Sequence, residues 1–191
     1  MNPFKRIGQA IDADSGSAKR GFIAHLEFAE PVAQSATGIL AATAMTDAEQ
    51  VIVDDISNPD VPRSVKIVGN ASGITGDVII VGTNILDEEI TETIALNGTT
   101  SVLGAKAFKT VTSITLPAEV HAGTDTVSVG TGNKLGLPYL LTRNTVLSAF
   151  RGDTLEGTAP TVTVSTTAIE SNTVLLNSAL NGTDVDLYAI V

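Results

Sequence analysis

The sequence predicts an all-β protein, a β-sandwich of jelly-roll-like or Ig-like type with a short helical or extended N-terminal arm. Three observations predict it. The 191 residues include 25 threonines and 19 valines against 2 methionines and no tryptophan, a composition suited to pleated, half-buried surfaces. From residue 50 onward, short Val/Ile/Thr runs alternate with Gly, Asn, Asp and Pro turn signals. No long stretch carries the period of an amphipathic helix after that point.

The elements follow in chain order. Residues 2–11 read as a short helix: Asn2 can cap, Pro3 fits the first helical position, and Phe4, Ile7 and Ile11 form one apolar stripe. Ten residues are too few for an isolated helix, so this stripe must dock on the chain's own body or on a partner. Asp12 to Ser17 reads as a flexible break. Phe22, Ile23, Leu26 and Phe28 suit a strand or an irregular segment ending at Pro31, and residues 36–45 suit a short helix or an extended arm. Candidate strands then cover 51–54, 64–68, 77–82, 89–96, 106–116 and 125–129. Val78-Ile-Ile-Val81 is apolar on both faces and reads as a central strand. Alternation places Glu92 on the same face as Ile90 and Ile94, which makes that face solvent or interface, puts Glu92 at a strand margin, or makes it a catalytic carboxylate. Gly130-Thr-Gly132-Asn133 reads as a turn. A second β stretch runs from 139 to 191, with strands at 161–164, 172–176 and 184–190 and a hairpin at Asn181-Gly182. Leu135-Gly-Leu-Pro138 carries no polar spacer, so the body continues through it. The division expected is an N-terminal attachment arm and linker over 1–49 and a β-sandwich body over 50–191.

Charge separates the chain the same way. Residues 1–24 hold Lys5, Arg6, Lys19 and Arg20 against Asp12 and Asp14, a sum of +2; removing it from the chain's −10 leaves −12 on the rest. An acidic body disfavours nucleic acid, because phosphate neutralisation needs clustered Lys and Arg. No segment has the roughly 20 apolar residues of a spanning helix, and the N-terminus lacks the apolar core of a signal peptide. No membrane partner is expected, and synthesis in a cytoplasm without export is the simplest reading.

Templates for chemistry fail one by one. Without cysteine there is no disulfide, thiolate metal site or cysteine nucleophile. The glycines after residue 129 lack phosphate-loop spacing and a following helix. Asp12-x-Asp14-x-Gly16 resembles the start of a calcium loop, but Ile23 stands where the bidentate acid belongs. The acidic groups Asp54, Asp55, Asp60 and Asp87, Glu88, Glu89, Glu92 read as solvated loop and edge charge. The histidines, His25 and His121, have no acid at a spacing that suggests a site, and no nucleophile elbow is present. The expectation is a protein that is not an enzyme and carries no cofactor or metal.

The runs Gly73-Ile-Thr-Gly76-Asp-Val-Ile-Ile-Val-Gly82, Glu89-Ile-Thr-Glu92-Thr-Ile-Ala-Leu-Asn97-Gly98-Thr99 and Ala107-Phe108-Lys109-Thr-Val-Thr-Ser-Ile114, with Val129-Gly-Thr-Gly-Asn-Lys-Leu-Gly-Leu-Pro138 and Asn181-Gly-Thr-Asp-Val-Asp-Leu-Tyr188, carry a resemblance. Over roughly residues 60–191 the chain resembles small β-rich virion proteins of tailed bacteriophages, the decoration and auxiliary head proteins. The resemblance implies a structural protein on the capsid surface, made in the host bacterial cytoplasm. It also implies a homo-oligomer, a trimer or pentamer by capsid symmetry, with the major capsid protein as partner. Phe4, Ile7 and Ile11 are then the apolar anchors, and Lys5, Arg6, Lys19 and Arg20 the charge partners on that shell. A tail, neck or fibre component is the alternative. A cell-envelope hydrolase using Glu92 and Asp87 is the remaining one.

Overall fold

The computed structural model describes residues 9–11, 18–20 and 22–191, with side chains from residue 22 onward. The chain is all-β and sandwich-like, built from antiparallel sheets.

Near the N-terminus β1 (Gln9–Ile11) pairs antiparallel with β2 (Ala18–Arg20). The helix expected over 2–11 is therefore corrected at its C-terminal end: residues 9–11 are extended, and pairing with β2 satisfies backbone groups that so short a helix would leave unpaired. The rest of that expected helix, and the break at 12–17, lie outside the described residues.

The first of three larger sheets has the order β5 (Gln50–Ile52), β10 (Thr110–Leu116), β7 (Asp77–Thr83), β8 (Glu89–Ala95). The central sheet runs β14 (Thr161–Thr163), β15 (Thr173–Leu175), β11 (Thr126–Gly136), β6 (Arg63–Gly69), β9 (Val102–Phe108), and β4 (Leu40–Ala44) also pairs with β11. The third has the order β13 (Thr154–Leu155), β12 (Val146–Arg151), β16 (Val185–Ile190), β3 (Ile23–Phe28).

Two apolar cores lie between these sheets. Val78, Ile80 and Ile114 of the first sheet pack with Val65, Ile67, Val127 and Val129 of the central one. Phe28, Ala149, Val185 and Leu187 of the third sheet pack with Leu135 and Val174 at the other end of the central one. The eleven residues of β11 thus serve both cores, Val127 and Val129 in one and Leu135 in the other. Burial of these side chains is the main force holding the layers together, about 1.5–3 kcal/mol for each large one.

The central strand expected at 78–81 is β7, flanked by β10 and β8. Four other expectations need correction. The 106–116 stretch is two strands in different sheets, because the chain crosses between layers after the buried Phe108, where the Lys109 amide donates to the Thr83 carbonyl. The glycines at 130 and 132 do not form a turn; β11 runs through them. They are glycines because other backbone and side chains pass close by: a Cβ at 130 would collide with the Ser35 carbonyl, and one at 132 with Ser64 and Leu103. Asn181-Gly182 does not close a hairpin, since β15 and β16 belong to different sheets; Gly182 has φ +81° and donates its amide to the Pro31 carbonyl. Finally, no structural break falls at residue 49. β3 pairs with β16 over six residues and β4 pairs with β11, so residues from 23 onward already belong to the sheets. Among the described residues no helix is long and apolar enough to cross a membrane.

Candidate functional site

Of the residues expected to engage a partner, Phe4, Lys5, Arg6 and Ile7 lie outside the described residues. Ile11 is placed opposite Ala18, Lys19 opposite Ala10, and Arg20 opposite Gln9. The last two basic positions therefore sit on one short antiparallel ladder, two residues before the third sheet begins at Ile23.

The outer face of that third sheet gathers aromatic and charged groups from three strands. In β3 the burial alternates, with Ile23, His25 and Glu27 exposed and Phe28 buried. His25 pairs directly with Tyr188 in the ladder, and their rings stack with centroids 4.8 Å apart and planes 6° from parallel. Phe150 of β12 meets the Tyr188 ring edge-on at 6.0 Å. The His25 Nε2 lies 2.5 Å from a carboxylate oxygen of Asp186. Ile23, 46% exposed, and Leu155, 56% exposed and opposite Phe150, extend the apolar surface; Phe22 at the edge is 67% exposed. An aromatic ladder ringed by exposed aliphatics is the composition of a partner-binding surface. The sequence hides it, because His25 lies more than a hundred residues before Phe150 and Tyr188, and the three rings meet only through β3–β16–β12 pairing.

Of the carboxylates singled out in the sequence, Asp60, Asp87, Glu88 and Glu92 have a structural partner, while Asp54, Asp55 and Glu89 are exposed. Glu92 does share a face with Ile90 and Ile94, but the solvent-face and strand-margin readings are corrected: that face is the core face, and Glu92 stands half-buried in the middle of β8. It reaches across the open side of the sandwich to β9, where its Oε1 accepts the Ala105 amide at 2.5 Å and, more weakly, that of Lys106 at 3.4 Å. Lys134 Nζ donates to the Gly104 carbonyl at 3.2 Å on the same strand. Burial pushes the Glu92 carboxyl above the ordinary value, against those amides and the charges of Lys106 and Lys134. Glu92 is thus a suture between two edge strands. Asp87, at φ +63° in the β7–β8 turn, is held by Lys109 Nζ at 2.8 Å, and Glu88 by Asn84 at 2.9 Å.

Asp60 turns to Arg63 and away from Asp54 and Asp55. Arg63 is completely buried. Its Nη1 donates to Asp60 Oδ1 and to the Val32 carbonyl, each at 2.9 Å, and its Nε to the Gly132 carbonyl at 2.7 Å. Burial acts to raise the Asp60 carboxyl, but the Arg63 guanidinium and the Val32 and Val61 amides outweigh it and hold it below the ordinary value. The expectation that the histidines have no acid at a telling spacing is corrected at His121, which stands four residues before Asp125 with its Nδ1 2.9 Å from that buried carboxylate. Burial acts to raise Asp125 as well; the His121 and Val120 amides and the His121 ring overcome it and lower it. Among the described residues no three His, Asp or Glu side chains converge as a cation site requires.

The surviving candidate surface is the outer face of the third sheet and the ladder of β1 and β2 that leads into it. No protein-family model, curated protein or solved structure matches the chain.

Proposed function

We propose that the protein is a structural component of a bacteriophage virion, a capsid decoration protein that binds the assembled major capsid shell through its N-terminal region and acts without catalysis. The observation that carries this reading is the division of charge, +2 over residues 1–24 and −12 over the remainder. A basic segment on an acidic module is an attachment device, because opposite charge steers it to an acidic surface while like charge keeps the modules apart in solution. The resemblance of residues 60–191 to small virion proteins points the same way. So does the aromatic outer face of the third sheet, whose first strand follows the basic positions Lys19 and Arg20 closely in the chain and which offers apolar contact area.

The test is occupancy on purified heads. A chain lacking residues 1–20 keeps the far-ultraviolet signature of a β protein and no longer sediments with the shell. Full occupancy by the truncated chain overturns the attachment role, and labelled virions bearing this protein on the tail overturn the head assignment.

A further inference from the structure

We propose that two copies of this chain pair edge to edge through β3, antiparallel, about a two-fold axis at Leu26. The pairing surface is distinct from any contact with a shell and stands whether or not the chain is a virion protein. Being two-fold, it departs from the trimer or pentamer that capsid symmetry suggests.

Among the described residues β3 has β16 as its only strand partner. The phase of the ladder is fixed at its end, where the Phe22 amide donates to the Val191 carbonyl at 3.0 Å and the Val191 amide to the Phe22 carbonyl at 2.9 Å. Backbone groups alternate along a strand, so Ala24, Leu26 and Phe28 also address β16. Ile23, His25 and Glu27 direct their amides and carbonyls to the open edge. A groove of about 260 Å³ runs beside this edge, walled by Val61, Pro62, Ile85 and Pro138.

The other edges are closed or poorly matched. β9 is bridged to β8 by Glu92 and engaged by Lys134. β5 is three residues long, preceded by Glu49 and followed within three residues by Asp54 and Asp55, so two copies would bring like charges together. β13 and β14 have two and three residues. β3 has six, with one imidazole and one carboxylate on its exposed face.

Self-pairing must keep core and solvent faces together, since a one-residue slip exchanges them. Centring the axis on Leu26 satisfies this. It sets His25 opposite Glu27 of the partner subunit and Glu27 opposite His25 of the partner subunit. On the inner face Leu26 meets its own copy, and Ala24 lies opposite Phe28 of the partner subunit, small against large. Centring on His25 would oppose His25 to itself and Ile23 to Glu27, and lose both complementarities. The interface is isologous, as a two-fold pair requires, and joins two four-stranded sheets into one of eight.

The native chain has no cysteine, so a single introduced thiol reports the axis directly. Leu26 falls at a position whose backbone does not bond across the new ladder, where Cα atoms approach to about 4.5 Å, inside the range a disulfide spans. Leu26→Cys is expected to form a disulfide-linked dimer under mild oxidation. By sedimentation equilibrium the native protein shows a species of twice the 19.6 kDa chain mass. Hydrogen exchange at the Ile23, His25 and Glu27 amides slows with rising concentration while that of Leu26 does not change. Glu27→Lys, an exposed substitution that leaves the core untouched, weakens the dimer at least tenfold. A native protein that stays monomeric, a dimer indifferent to Glu27→Lys, or a dimer in which Leu26→Cys fails to cross-link each overturns the proposal.

Discussion

The guanidinium of Arg63, with no solvent exposure, lies 2.9 Å from the carboxylate of Asp60, which keeps a quarter of its side-chain surface in water. This pair sits where β6, the Gly132 carbonyl of β11 and the Val32 segment meet, so it ties the incoming N-terminal chain to the strand that serves both cores. Removing one partner of a buried pair strands the other charge. Arg63→Met is expected to cost about 3–5 kcal/mol, read as a lowered denaturant midpoint. Asp60→Asn, at the wet end of the pair, should cost less.

Acid should weaken this fold in a definable window. Asp60 and Asp125 both have carboxyls held below their ordinary value. Each therefore contributes stability that is fully present above the unfolded carboxyl value of about 3.9 and is lost as pH falls through its folded value. Thermal melts across this range should show the transition falling with acidity. In Asp60→Asn the slope should flatten; an unchanged slope would mean that Asp60 is not tied to Arg63 in solution.

Glu92 makes the opposite prediction. Its carboxyl is raised, so the folded state holds its proton longer than the unfolded one, and stability drops as pH rises from the unfolded to the folded value. Glu92→Gln keeps an oxygen for the Ala105 amide and removes the charge, and should match or exceed native stability at neutral pH. Glu92→Ala leaves that amide without its acceptor, a cost of about 1–3 kcal/mol, and opens the β9 edge to association. Light scattering during unfolding reads the second effect.

Three glycines separate two kinds of constraint. Gly130→Ala drives a methyl group into the Ser35 carbonyl and should cost at least about 1–3 kcal/mol through backbone displacement. At Gly152 nothing lies within 4 Å, but φ is +57°, so Gly152→Ala should cost about 1–2 kcal/mol from conformation alone. Gly157 has open space and no positive φ, and Gly157→Ala should be neutral or stabilising by up to about 1 kcal/mol. The rank order of the three melting temperatures is the measurement.

Asn172 is fully buried, and its amide is satisfied on both sides. Its Oδ1 accepts the Ser165 and Leu141 amides at 2.9 and 3.2 Å, and its Nδ2 donates to the Ser165 and Ala168 carbonyls at 3.0 Å each. Asn172→Ala should cost at least about 2 kcal/mol, since several backbone groups lose partners together. Asn172→Asp should rescue little, because a carboxylate would face the two carbonyls that the amide nitrogen now serves.

Particular strands show how far the residues could be read. Val78 to Val81 revealed a central strand because both faces are apolar, and Thr161 to Thr163 a half-exposed one because its faces differ. The 106–116 stretch shows the limit: period-2 hydrophobicity continues smoothly through Lys109 while the chain changes sheets. Glu92 was placed on the right face from alternation alone, yet its role depends on Ala105, thirteen residues away on a strand to which β8 is not paired. The carboxylate clusters did not act as units for the same reason: Asp60 turned to Arg63, Asp87 to Lys109 and Glu88 to Asn84, pairings that the cluster spacing did not announce.

The sequence by itself determined the all-β class, most strand positions and the contrast between a basic first segment and an acidic remainder. These are local properties, set by side-chain shape, alternation and composition. Tertiary structure alone decided which strands share a sheet, that β11 serves two cores, and that β3 and β4 belong to those sheets. It also decided that His25, Phe150 and Tyr188 form one exposed face. Such facts depend on pairing between distant segments, where the free energy comes from burying two faces against each other, and neither face carries a record of its partner.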